Sequence, residues 1–275
     1  MIQLIRGMFI ASSFCFLGNL VATPPREIDP ALRDAFTLNN QIPVIDWYLD
    51  QSQTSNEALV WEKKHVDECI QKVLERSTLN YPATDLFIYK ILERRSIEGK
   101  KVLIIGSETP AYEAVVLAFK GHPVTVEYRR IKTDDDRLTT YTVEEFEDVE
   151  EKFDAILSIS SIEHDGLGRY GDPVNPNGDL AFMEKAKGYL KDGGLFFLAV
   201  PTGRDCLVWN AHRIYGPKRL SLLLTGWDVI DTEGFVKKDF YRSLGFYAHQ
   251  PVLCLKRNAA VSEKINIFSG LKSHR

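Results

Sequence analysis

Three stretches of this sequence place chemistry-bearing residues where a strand–helix–strand unit would bring them together. The first is an apolar run, Val102 to Ile105, that ends at Gly106 and is followed by Ser107, Glu108 and a helical pattern. A single glycine where a strand meets a helix lets the backbone turn tightly and approach a ligand. The helix start beyond it offers free N–H groups to a carboxylate or phosphate. Glu127 closes the next strand-like run, twenty-one residues after Gly106. A carboxylate there can accept hydrogen bonds from the two hydroxyls of a ribose. The turn GSETPAYE supplies one glycine rather than the three of a dinucleotide fingerprint, which disfavours a pyrophosphate clamp and suits a ligand with a ribose but no phosphate. Glu108 either caps the turn or faces the ligand. The plain alternative is an ordinary strand–helix–strand unit whose glutamate is solvated.

The second stretch is SSIEHDGLGRYGDP, Ser160 to Pro173. Ligands of doubly wound sheets sit beyond the carboxyl ends of the strands, so this segment should border the pocket. It sets Glu163, His164 and Asp165 side by side, with Ser161 just ahead. An imidazole beside a carboxylate can act as a general base towards a hydroxyl or amine, which makes His164 and Asp165 the catalytic candidates. A histidine that only fastens its own loop is the competing reading. Gly166, Gly168 and Gly171 imply unusual backbone angles, and Arg169 and Tyr170 could bind an acidic or sugar-like substrate. The third stretch, WNAHRIYGPKRL, offers His212, Arg213 and Tyr215 to the substrate side, or else forms an aromatic surface turn.

The elements that must position these residues are legible in the apolar spacing. Helical periodicity runs from Glu57 to Arg76, and a second helix follows Thr84 or Asp85 as its cap. Strands are expected at Val102–Ile105, Val124–Tyr128, Leu138–Val143, Phe153–Ser160 and Leu195–Val200. Helices lie after Thr109 and over Asp179–Leu190. Trp227–Asp231 and Pro251–Lys256 read as a terminal antiparallel pair. The fold class is therefore α/β, a Rossmann-like, mainly parallel sheet of about seven strands ending in that pair and preceded by N-terminal helices.

The expected organisation is a leader at 1–23, an arm with helices at 24–95, the Rossmann-like domain at 96–257 and a flexible tail at 258–275. The leader carries Arg6 and then an apolar stretch from Met8 to Val21, the length of a secretory signal core and short for a membrane span. It directs the chain to the secretory pathway, secreted or luminal. An uncleaved membrane anchor is a further option, and a short buried helix would leave the protein cytoplasmic. The 275 residues carry a net charge of −4, which argues against a nucleic-acid partner. The four cysteines, Cys15, Cys69, Cys206 and Cys254, form no CxxC pair and no zinc spacing, so buried thiols are expected and no metal. Composition leaves the oligomeric state open.

Four segments carry a family resemblance. LKDGGLFFLAVPTG (Leu190 to Gly203) and FDAILSISSIEH (Phe153 to His164) resemble the fifth- and fourth-strand motifs of class I S-adenosylmethionine-dependent methyltransferases. More closely, GKKVLIIGSETPAYEA and SSIEHDGLGRYGDPVNPNGD resemble the Caenorhabditis-type domain of unknown function 268. The resemblance implies S-adenosylmethionine as cofactor, with Gly106, Ser107 and Glu108 at its methionine end. Glu127 would hold the ribose, and Ser161 to His164, Glu163 among them, would border the sulfonium. Ile104 stands where that superfamily usually has an acidic residue, and Glu144 is the candidate after the third strand for the adenine amine. The implied activity is methyl transfer to a small molecule or glycan. A non-catalytic binding or scaffold protein of the same fold is the alternative, and a nicotinamide-dependent oxidoreductase ranks last.

Overall fold

The computed structural model describes residues 23–52, 57–242, 245 and 249–258. The leader, Cys15 and all of the tail beyond Asn258 lie outside them. Among the described residues no helix is long and apolar enough to cross a membrane.

In chain order the elements are α1 (Pro30–Thr37), β1 (Val44–Trp47), β2 (Leu59–Trp61), α2 (Lys63–Leu74), α3 (Pro82–Arg94), β3 (Lys101–Ile105), α4 (Ala111–Ala118), β4 (His122–Glu127), β5 (Ile131–Thr133), β6 (Thr139–Thr142), α5 (Val143–Phe146), β7 (Phe153–Ile159), α6 (Gly178–Tyr189), β8 (Leu190–Ala199), β9 (Cys206–Asn210), β10 (His212–Ile214), α7 (Pro217–Leu223), β11 (Trp227–Glu233) and β12 (Val252–Arg257). Seven of the strands form one sheet in the order β11-β12-β8-β7-β3-β4-β6. The five strands from β8 to β6 run parallel, and β12 is antiparallel to both β8 and β11. This is the Rossmann-like sheet with its terminal antiparallel pair. The order reverses between β3 and β7, because the chain builds outward from β3 through β4 to β6 and then returns to lay β7 on its other side. A crevice must open at the carboxyl ends of those two strands.

Strand sequences with apolar residues on both faces require a cover on each. Leu103, Ile156, Phe196, Leu198, Leu253 and Leu255 face α6 and α7, where Met183, Leu220 and Trp227 pack. Their neighbours Val102, Ile104, Leu157, Phe197 and Cys254 face the opposite layer, built from α3, α4 and the end of α2. Cys69, Cys206 and Cys254 are free and buried, consistent with small apolar side chains.

Three local expectations give way to tertiary pairing. The apolar run expected as one helix from Glu57 to Arg76 divides into β2 and α2. Leu59, Val60 and Trp61 pair in parallel with Ile131, Lys132 and Thr133 of β5, and Asp134 then accepts the Lys63 N–H at the helix start. Thr84 and Asp85 sit inside the first turn of α3 rather than capping it. The Asp85 carboxylate accepts the N–H groups of Leu79 and Tyr81, while Thr84 donates to the Gln250 carbonyl. The stretch Trp209–Tyr215, expected as a loop, carries strand structure: β9 pairs in parallel with β1 of the arm and antiparallel with β10. Leu207 and Trp209 bury against Phe36 and Ile42, and on the other face Val208 and Ile214 meet Ile45 and Trp47.

The segment after β7 is tied to the late strands through Asp179, in the first turn of α6 and fully buried. Asp179 pairs with Arg219 and accepts the Tyr215 hydroxyl at 3.0 Å, with Arg213 Nε at 3.8 Å. Arg213 in turn donates to the carbonyls of Asp165 and Glu163 at 2.7 and 3.3 Å. Removing one partner of a buried ionic network leaves the others desolvated and unpaired. Asp179→Ala is therefore expected to lower unfolding stability by about 3–5 kcal/mol, read as a fall in the urea midpoint with an unchanged denaturant slope.

Candidate functional site

A cavity of about 490 Å³ opens at the strand-order reversal, and its wall includes Ile105 and Gly106 after β3, Val126 and Glu127 at the end of β4, and Ile159, Ser160 and Ser161 after β7. Its size falls in the range of small-molecule and cofactor sites, about 300–1,000 Å³. Among the described residues, no group of three or more His, Cys, Asp or Glu side chains is placed to hold a metal ion.

Gly106 has a φ of +72°, and a Cβ there would lie 2.3 Å from Ser161 Oγ and 4.0 Å from a Glu127 carboxylate oxygen. Only glycine lets the β3 turn and the β7 turn approach this closely. Ser160 itself takes a positive φ of +51° on leaving β7, which bends Ser161 back onto Gly106. The Glu127 carboxylate accepts the Ser107 N–H at 2.7 Å through one oxygen and the Tyr128 N–H at 2.9 Å through the other. Burial raises its pKa, and the backbone donors from Ser107, Arg129 and Tyr128 pull it back down.

Behind the turn lies Glu113, a fully buried acid in the otherwise apolar α4. Ser107 Oγ donates to one of its oxygens at 3.0 Å and Thr125 Oγ1 to the other at 2.7 Å. Burial pushes its carboxyl up to about 7. Sequence reasoning passed over Glu113, although a lone acid among AYEAVVLA was the available signal.

Glu163 and His164 lie in a single turn of 3-10 helix, Ile162–His164. Glu163 is 1% exposed, and one of its oxygens accepts the Ser160 hydroxyl at 2.8 Å. Its other oxygen, Oε2, has no partner among the described residues. Burial pushes this carboxyl up to about 7, against the pull of the Ser160 hydroxyl, Arg169 and Arg213. His164 Nδ1 lies 2.6 Å from the Ala211 carbonyl, a contact that requires the proton on Nδ1 and leaves a lone pair on Nε2. Burial, with Arg169 beside it, pushes the imidazole down to about 3, so it is neutral at pH 7. Burial together with Asp172 raises the Asp165 carboxyl well above the usual carboxylate range.

The glycine-rich loop bends around Asp172, whose carboxylate accepts the N–H groups of Gly166, Gly168 and Tyr170. Gly166, Gly168 and Gly171 all have positive φ, as their spacing suggested. Arg169 stacks on Tyr170 at 4.9 Å and donates to Gln51 Oε1 and the Ala211 carbonyl. Its guanidinium forms no ion pair with a carboxylate among the described residues.

Of the residues singled out from sequence, the cavity wall brings together Gly106, Ser107, Glu108, Glu127, Ser161, Glu163, His164, Asp165, Arg169, Tyr170 and His212. Arg213 and Tyr215, expected on the substrate side, do not line it. Side chains alternate along β10, so with His212 towards the cavity Arg213 points the other way, and Tyr215 is bonded to Asp179. Both are buried and serve to hold the site loop. No local signal marks Trp47 and Gln51 of the arm, or Asn80 and Tyr81 ahead of α3, as completing the wall. They arrive only through the β1–β9 pairing and the packing of α3.

The two buried glutamates and the histidine act in opposite senses on stability. A carboxyl raised from 4.5 to about 7 stabilises the fold below pH 4.5 and loses that contribution as pH rises through 7. His164, lowered from 6.5 to about 3, contributes stability above pH 6.5 that is lost as pH falls towards 3. Glu163→Gln should therefore remove a declining component worth roughly 3 kcal/mol between pH 4.5 and 7. Urea midpoints measured across that range are expected to rise more steeply with pH in the variant than in the parent.

Comparison with known proteins adds the family. Solved structures similar to this chain include a 1,6-didemethyltoxoflavin-N1-methyltransferase from Burkholderia thailandensis, at 17% identity over 62% of this chain and 76% of that one, with a TM-score of 0.47. An S-adenosylmethionine-dependent methyltransferase from Clostridium acetobutylicum matches at 12% identity over 70% and 98%, with a TM-score of 0.40. The CcbJ methyltransferase from Streptomyces caelestis matches at 11% identity over 71% and 98%, with a TM-score of 0.41. At these scores the fold assignment rests on the strand order described above. No curated protein matches the sequence. The model of the family described as Caenorhabditis protein of unknown function, DUF268, matches residues 99–240, just over half of the chain and nearly all of the cavity's sheet-borne wall, and the chain belongs to that family.

Proposed function

We propose that the protein is an S-adenosylmethionine-dependent methyltransferase acting on a small molecule or glycan. The observation that carries this reading is the 490 Å³ cavity at the strand-order reversal, with the Gly106 turn and the Glu127 carboxylate on adjacent strand ends. A ribose diol placed at the end of β4 would exchange its hydroxyls for the backbone donors that now occupy Glu127. Tyr128, Val143 and Phe146 line the same side and give an adenine ring an apolar, aromatic wall.

The acids at the turn disfavour a phosphate-bearing ligand. Five carboxyl groups, from Glu108, Glu127, Glu163, Asp165 and Asp172, share the wall with three cationic side chains, Arg129, Arg169 and Lys185, and burial shifts four of the five, all but Glu108, towards the neutral form. A pyrophosphate would meet Glu108 and Glu127 at the turn where a nicotinamide cofactor would need glycines and free N–H groups. A sulfonium meets no such repulsion at that turn. The residues present therefore fit the cofactor, which when bound supplies an electrophilic methyl carbon. The chain's own part is to orient it, exclude water and hold the acceptor in line with it.

Calorimetric titration with S-adenosylmethionine tests the reading, and heat with a 1:1 stoichiometry is expected. Glu127→Ala should weaken binding at least about tenfold, from the loss of charge-assisted hydrogen bonds. Gly106→Ala should abolish it, because the new methyl group collides with Ser161. Absence of heat at millimolar cofactor would sink the proposal. Binding without methyl transfer to any acceptor would favour a non-catalytic scaffold of the same fold.

A further inference from the structure

We propose that the molecule methylated in this cavity bears a carboxylate and that the guanidinium of Arg169 receives it. The inference rests on the methyltransferase reading and narrows the class of its acceptor. A guanidinium carries five N–H donors in a fixed plane. In Arg169, Nε donates to Gln51 Oε1 at 2.6 Å and Nη1 to the Ala211 carbonyl at 3.1 Å, while Cζ lies 4.9 Å from the Tyr170 ring centre. The side chain is part-exposed on the cavity wall. Its Nη2 makes no hydrogen bond among the described residues and, unlike Glu163 Oε2, is not shut off from solvent. Three contacts thus fix the group and leave one edge of it open, so a ligand there costs little further ordering of the side chain.

The charge of Arg169 is not answered within the described chain. No carboxylate pairs with it, and His164, whose Nδ1 lies 3.4 Å from Nη1, is neutral. The sulfonium of S-adenosylmethionine would add positive charge to the same cavity, and a carboxylate on the acceptor balances it. Glu108 faces this space from the β3 turn, where its charge is felt by Tyr81 and Tyr170. One acid opposite one guanidinium tolerates a single negative charge and penalises two, which favours a carboxylate over a phosphate dianion. Beside Arg169 the wall is a run of rings. Tyr170 meets His164 at 5.7 Å, His164 meets His212 at 6.3 Å and His212 meets Trp47 at 5.9 Å, each edge to face. This strip suits a flat, apolar body that ends in the charged group. The Tyr170 hydroxyl, which also lacks a hydrogen bond and is not shut off from solvent, is a second open donor on the ring that carries the guanidinium.

The test compares two probes of one shape. Benzoate, and benzyl alcohol as its uncharged counterpart, are titrated calorimetrically into the full chain with and without S-adenosylhomocysteine. Benzoate should bind at least about tenfold more tightly than benzyl alcohol, the worth of a charge-assisted hydrogen bond. Arg169→Met, which keeps the stem that lies on Tyr170, should lose that preference while holding S-adenosylhomocysteine within about threefold of the parent. Equal affinity for the two probes, or no binding of benzoate, would overturn the proposal, and so would a preference that survives in Arg169→Met. A loss of S-adenosylhomocysteine affinity of about tenfold in the variant would overturn it too, by assigning Arg169 to the cofactor's own carboxylate. A crystal structure of the parent with benzoate gives a reading that does not depend on the variant folding. Its carboxylate is expected about 3 Å from Arg169 Nη2, and a carboxylate seated elsewhere in the cavity would refute the assignment. Benzoate binding without heat from S-adenosylhomocysteine would leave the carboxylate subsite standing and remove the methyltransferase reading.

Discussion

One buried carboxylate, that of Asp179, fixes the geometry on which the site depends. It sits where α6 begins, so the partial positive charge of the helix start adds to the two guanidinium groups that meet it. Arg219 comes from α7 and Arg213 from β10, and each also reaches backbone carbonyls of the loop between β7 and α6. The loop carrying Glu163, His164 and Asp165 therefore has its carbonyls held from behind. Its side chains are left free to face the cavity. A second buried carboxylate extends the same device, since Asp205 accepts the N–H groups of Gly216, Lys218 and Arg219 and so caps α7, the helix that delivers Arg219.

The cavity concentrates acids in a place where burial works against their charge. Glu127 and Glu163 line it and Glu113 lies behind the Ser107 turn, and each is shifted towards the protonated form by desolvation. Acids in such a setting call for hydrogen-bond donors. The turn at Ser107 answers part of that need with a backbone N–H to Glu127 and a hydroxyl to Glu113. Glu163 keeps an oxygen unanswered. That asymmetry separates a carboxylate with both oxygens engaged by backbone N–H groups from one with an oxygen left over.

The arm ahead of the sheet gives the cavity its outer wall. β1 pairs with β9 across more than 160 residues of chain, and the Leu49 N–H beyond it is accepted by Asn210 Oδ1. This pairing carries Trp47 and Gln51 to the cavity and lets Gln51 accept from Arg169 on the opposite lip. A cavity wall with a positioned arginine thus depends on a segment remote from the strands that define the pocket floor.

The sequence by itself determined the sheet and the pocket floor. Apolar runs of strand length separated by helical spacing set β3, β4, β7, β8 and the closing antiparallel pair. Gly106 and Glu127 stood out because a turn and a strand end have local signatures. Local chemistry also exposed the positive-φ glycines after β7. The sequence did not reveal β2, β9 and β10, because short strands whose partners lie far along the chain have no periodicity of their own to distinguish them from helix or loop. It assigned Arg213 and Tyr215 to the substrate because it could not tell which face of β10 would be buried. Only the tertiary structure decided that Arg213 turns inward to Asp179, that His164 loses its proton to burial and that Glu163 keeps one oxygen without a donor. Those outcomes are set by desolvation and by partners distant in sequence, and neither is encoded in the residue types next to them.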